Sequence, residues 1–132
     1  MRHPDWVDRM HKTLEGMKDR PYAYGACVAI AAEVVDAISD SSWRADIDPL
    51  IADEASARAL IAEPGSLEAL VTKRLGEPVP MGLAMRGDPV LLELGSGPSL
   101  GICTGDRIAC PAENKGIAAL NRDRGIKAWR VS

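Results

Sequence analysis

The sequence predicts an α+β fold, with helices in the first half packed on an antiparallel β-sheet formed by the second. Two observations carry this. Apolar residues recur at helical spacing up to Leu75, and after Pro78 and Pro80 they fall into short runs separated by Gly, Pro and Asp. With 132 residues and no shift of composition along the chain, one domain over 1–132 is expected.

The first helix is expected over Asp5 to Arg20, where Trp6, Met10, Leu14 and Met17 are spaced three and four apart and Asp5 stands as the cap. It must stop at Arg20, because the residue before Pro21 is pushed out of the helical region. Pro21 to Gly25 reads as an extended, aromatic lead-in. Between Ala26 and Ile38, Cys27, Ile30, Ala31, Val34, Val35 and Ile38 cover a wide arc, as in a central buried helix. Cys27 then lies in its first turn.

The stretch from Ser39 reads first as turns and then as a short helix over about Asp53 to Ile61. A further helix is capped by Ser66, carries Leu67, Leu70, Val71 and Leu75, and is ended by Gly76. Strands are expected at Pro89 to Leu94, Leu100 to Thr104, Arg107 to Cys110, Gly116 to Leu120 and Ile126 to Val131. Gly95-Ser96-Gly97-Pro98, Gly105-Asp106 and Pro111 to Lys115 supply the turns.

Composition excludes several classes. The chain is 46% apolar and 27% charged, near the globular average, and with three Trp, two Tyr and no Phe its core must be built from aliphatic residues and Met. A net charge of -3 with no basic stripe argues against nucleic acid as a partner. The longest apolar stretch, Ala26 to Ala32, is too short to span a membrane, and no secretory pattern opens the chain, so a protein made and kept in the cytoplasm is expected.

Three cysteines without a C-x-x-C pair read as free thiols. Cys103 and Cys110 could face each other across a hairpin and share a metal with Cys27, but no fourth ligand is evident, so neither metal nor cofactor is expected. Asp46, Asp48, Asp53 and Glu54 lack the spacing and central Gly of a calcium loop and read as a solvated acidic stretch. Gly95-Ser96-Gly97 leaves a strand without opening a helix, which fits a hairpin turn and not a phosphate cradle.

Cys27 is the candidate nucleophile, because a helix N-terminus stabilises a thiolate through its unpaired amides and macrodipole. The competing reading is a small buried hydrophobe. Tyr24-Gly25-Ala26-Cys27 with its Ala-rich helix resembles the aromatic-Gly-x-x-Asp-Cys motif that opens the catalytic helix of the NlpC-like papain-fold cysteine peptidases. Arg86-Gly87-Asp88-Pro89-Val90-Leu91 resembles that family's Gly-Asp-hydrophobic strand opening, and Leu100-Gly101-Ile102-Cys103-Thr104-Gly105 its His-Val-Gly-Ile-aromatic-x-Gly strand. With the closing Ala128-Trp129-Arg130-Val131, the chain is similar from Trp6 to Val131 to a phage-tail family of this outline.

The resemblance implies a papain-like, NlpC-type fold, and the departures from its motifs imply loss of catalysis. An attacking thiolate needs a base, and the base an orienting partner. Ser99 stands at the place of the family His, and Ala109 at about the place of the third polar residue. The motif Asp is replaced by Ala26, in a loop two residues shorter. His3 and His11, both near the N-terminus, read as solvated side chains.

The expected function is a structural component of a phage tail tip or baseplate, made in the host cytoplasm and carried in the virion, with hub or distal tail proteins as partners and Trp6, Trp43 and Trp129 as candidate anchors. The alternative is an active thiol hydrolase, a peptidoglycan endopeptidase or a tail-protein maturation enzyme, with Cys27 as nucleophile.

Overall fold

In the computed structural model, described for residues 2–95 and 97–132, the helical half comprises α1 (Trp6–Glu15), α2 (Ala26–Ser39), α3 (Trp43–Ile47), α4 (Glu54–Ala62) and α5 (Ser66–Leu75). The second half carries β1 (Val79–Pro80), β2 (Pro89–Leu94), β3 (Gly97–Cys103), β4 (Arg107–Pro111), β5 (Ile117–Asn121) and β6 (Gly125–Ala128). Among the described residues these strands form one antiparallel sheet in the order β1-β6-β2-β3-β4-β5. The expected α+β class therefore holds.

The departures have local causes. α1 ends at Glu15 and not at Arg20, and Met17, Lys18 and Arg20 continue in shorter turns with amides bonded three residues back. That stretch is drawn onto the turn between β4 and β5: the Gly116 amide donates to the Arg20 carbonyl, the Tyr22 amide to the Asn114 carbonyl, and Pro21 bridges Lys115. Asp5 precedes α1 but makes no side-chain cap, since its carboxylate is taken by Arg9 at 2.8 Å.

α3 falls where only turns are expected. Its first amides, those of Trp43 and Arg44, each donate at 2.8 Å to the Asp36 carboxylate, which belongs to α2. A cap supplied from another helix leaves no trace in the local residue pattern. α4 is capped by Asp53 through the Ser56 amide, while Ser66 is the first residue of α5 and Gly65 its cap.

In the sheet, β3 begins three residues early, with Gly97 and Pro98 paired to Leu94 and Glu93. Ser96 lies outside the described residues. β1, which follows Pro78 and contains Pro80, lies outside the expected strands and pairs with the outer side of β6. β6 ends at Ala128, short of the expected Val131, yet the tail stays pinned: the Trp129 amide donates to the Pro89 carbonyl at 3.0 Å and its indole to Thr72 at 3.1 Å.

The sheet has two buried faces. On one, α2 lays Val28, Ala31 and Val35 against Leu100, Ile102 and Trp129. On the other, Val90, Leu92, Cys103, Ile108, Cys110 and Ala128 pack together. There the Arg122 guanidinium gathers the Met81, Ala84 and Gly105 carbonyls at 2.8–2.9 Å and the Cys103 sulfur at 3.3 Å. Four acceptors for one guanidinium tie the loops that close this face.

Asp88, fully buried, joins the chain ends. It accepts from Arg2 at 2.7 Å, the Met85 amide at 2.9 Å and the Val131 amide at 3.1 Å. No helix among the described residues is long and apolar enough to cross a membrane.

Candidate functional site

The site is built where α2 meets β3. α2 starts directly after Gly25, whose φ of 83° favours glycine and where a Cβ would stand 2.9 Å from Ile51. Cys27 is the second residue of the helix and faces a cavity of about 570 Å³ shared with Tyr22, Tyr24, Pro98, Ser99 and Glu113. The structure thus brings two of the three expected site residues together, Cys27 and Ser99, both only 8% exposed.

Ala109 is placed elsewhere. It is buried between Ile102 of β3 and Ala119 of β5 in the ladder and does not line this cavity.

Two influences act on the Cys27 thiol in opposite directions. Burial penalises the thiolate and is the larger. The Leu100 backbone, the Ser99 hydroxyl and the backbone of Val28 and Cys27 at the helix start pull the other way. The balance pushes Cys27 above the ordinary thiol range. The expected lowering by the helix terminus is present and is outweighed, because the donors are neutral and a sulfur removed from water loses more solvation than they restore.

Neither imidazole lines the cavity. The His3 amide donates to the Ile38 carbonyl at the far end of α2, and eleven residues of helix from Cys27 to Ile38 correspond to roughly 16 Å. His11 is exposed on α1. Ser99 offers a hydroxyl, which donates and accepts hydrogen bonds but takes no proton near neutral pH.

Cys27 belongs to the helix-side core and Cys103 and Cys110 to the opposite face, so the three free thiols do not converge. Among the described residues no group of three or more His, Cys, Asp or Glu side chains is arranged to hold a metal ion. Of the acidic stretch, Asp48 pairs with Arg44, Asp53 caps α4 and Glu54 pairs with Arg58.

Trp43 and Trp129 are 2% and 0% exposed, so both are core residues and cannot serve as docking anchors. Trp6 is partly buried beneath the Arg2 guanidinium, 4.2 Å from its ring centroid. Glu113, the one carboxylate lining the Cys27 cavity among the described residues, arrives from the turn after β4. Its exposed position in a polar turn gives no signal in the sequence.

Fold and cavity define an α+β domain whose central helix presents a buried cysteine to the neighbouring strand of an antiparallel sheet. The chain belongs to the family described as Domain of unknown function (DUF6950), whose model matches residues 1–131. No curated protein matches the chain.

Proposed function

We propose that this domain is a non-catalytic relative of the NlpC-type papain-fold peptidases that serves as a structural component of a bacteriophage tail tip or baseplate, in contact with hub or distal tail proteins. The observation that carries the non-catalytic part is the pairing of Cys27 with Ser99 in a cavity that no imidazole lines. Thiol attack on a peptide carbonyl requires proton removal from sulfur and proton delivery to the leaving amine. A serine hydroxyl does neither, and burial keeps the proton on sulfur.

The papain-like reading is supported by the cysteine at the start of a buried helix, laid over a strand whose Ser99 takes the place of the family His. The tail reading rests on the resemblance that runs from Trp6 to Val131. On this reading the protein is made in the host cytoplasm and carried in the virion.

Purified tails analysed by mass spectrometry test the tail reading: the chain is expected at fixed stoichiometry with other tail proteins, and its absence overturns the assignment. Purified domain incubated with cell-wall peptides tests the non-catalytic reading. Intact peptides are expected. Cleavage that disappears in Cys27→Ser establishes the thiol hydrolase instead.

A further inference from the structure

The Cys27 cavity does not stand alone. Tyr24, Ile61 and Pro98 also line a second cavity of about 550 Å³ that runs between α4, the start of α5 and the β2–β3 hairpin, so the two cavities adjoin at these three residues as two lobes. Leu67, Leu91 and Pro64 contribute an apolar lining to the second lobe. Each lobe falls in the size range of ligand sites, and two adjoining lobes fit a linear ligand better than a compact one.

The rim is acidic. Glu63 and Glu93 line the second lobe and Glu113 the first, all three exposed, and among the described residues none forms a salt bridge. The other charges of the trough are satisfied internally. Arg58 pairs with Glu54 at 2.9 Å and lies 4.0 Å from the Tyr24 ring centroid, and Glu68 pairs with Lys127. Three carboxylates without counter-ions along an apolar trough call for a ligand that brings both cations and apolar surface.

We infer that the trough formed by both lobes binds an extended segment of a partner protein that carries lysine or arginine, with Glu63 and Glu93 taking one basic side chain and Glu113 another. The apolar lining holds the intervening residues and the methylene stems, which bury against Tyr24 and Pro98 while the charged heads reach the rim. Nucleic acid and other polyanions are disfavoured by the same carboxylates. This inference rests on the non-catalytic reading, since the segment lies across the Cys27 lobe and must remain uncut.

The test is fluorescence anisotropy with a short fluorescein-labelled peptide repeating Lys-Leu-Gly, a matching peptide repeating Glu-Leu-Gly, and spermidine as competitor. The Lys peptide is expected to bind, and the combined Glu63→Lys and Glu93→Lys variant to weaken it about tenfold or more, two lost ion pairs acting together. The combined Asp8→Lys and Glu15→Lys variant changes net charge equally on α1, none of whose residues lines either lobe, and is expected to leave binding within about twofold.

Absence of binding overturns the inference, as do equal binding of the Glu peptide, equal weakening by the α1 variant, or displacement of the peptide by equimolar spermidine. Mass spectrometry of the recovered peptide separates the two readings. Intact peptide supports both, whereas bound and cleaved peptide sustains the trough and overturns the non-catalytic function.

Discussion

Replacing Asp88 by alanine removes the acceptor on which both chain ends converge, and the cost can be worked donor by donor. The Val131 amide is buried, so leaving it unsatisfied costs about 1–3 kcal/mol. The Met85 amide belongs to an exposed residue and regains water at smaller cost. The Arg2 guanidinium loses its counter-charge but keeps the Val131 and Arg86 carbonyls, at 2.7 and 2.6 Å, and its side chain is 11% exposed.

Breaking a fully buried pair costs about 3–5 kcal/mol, and this partial access to water places Asp88→Ala near the lower end, at about 3 kcal/mol. With a urea dependence of about 2 kcal/mol per molar for a domain of this size, the unfolding midpoint should fall by about 1.5 M at unchanged slope. Asp88→Asn keeps one acceptor oxygen and should fall between wild type and Asp88→Ala. A double-mutant cycle with Arg2→Ala should show coupling of about 1 kcal/mol or more. A midpoint shift below about 0.5 M, or no coupling to Arg2, would show that the termini are held by packing alone.

Further outcomes follow from single sites. At Gly101 a Cβ would stand 2.5 Å from Ile108 and 2.8 Å from the Ala109 carbonyl, so Gly101→Ala should destabilise by about 1–3 kcal/mol in urea unfolding. Asp36→Ala strips both capping acceptors from α3 and should lower stability by about 1–2 kcal/mol, with increased amide exchange confined to 42–47. Trp129→Ala empties the junction of both chain halves and should cost about 3–5 kcal/mol, read as a fall in melting temperature.

The alkaline limb of stability has a defined sign. With its folded value raised, Cys27 contributes stability that is complete below the ordinary thiol range and is lost as pH rises through its folded value. Cys27→Ala should therefore flatten the loss of stability above about pH 9 relative to wild type.

The residue pattern carries much of the fold and less of the site. α2 and the strand Pro89–Leu94 are legible because their apolar periodicity is strong and bounded by Gly25 and by Gly87 and Gly95. α3 is not, since Asp36 of another helix supplies its cap, and the early end of α1 reflects tethering to residues nearly a hundred positions away. Both are tertiary contacts that override local preference.

At the site, the order of motifs names Cys27 and Ser99, which line one cavity, but the sign of the thiol shift is not legible in the sequence. A helix start announces donors in the sequence, whereas the burial that outweighs them is set by tertiary packing around the thiol. Nor does any local feature tell that Glu63, Glu93 and Glu113, from three separate segments, rim one trough.

The most direct test of the account is the pH profile of Cys27 alkylation by iodoacetamide, followed by peptide mapping that resolves it from Cys103 and Cys110. A buried thiol with a neutral partner predicts slow modification at neutral pH and a half-point above that of the same cysteine in the urea-unfolded chain. A reactivity plateau extending to about pH 6 or below, the signature of a thiolate held by a cation, would contradict it.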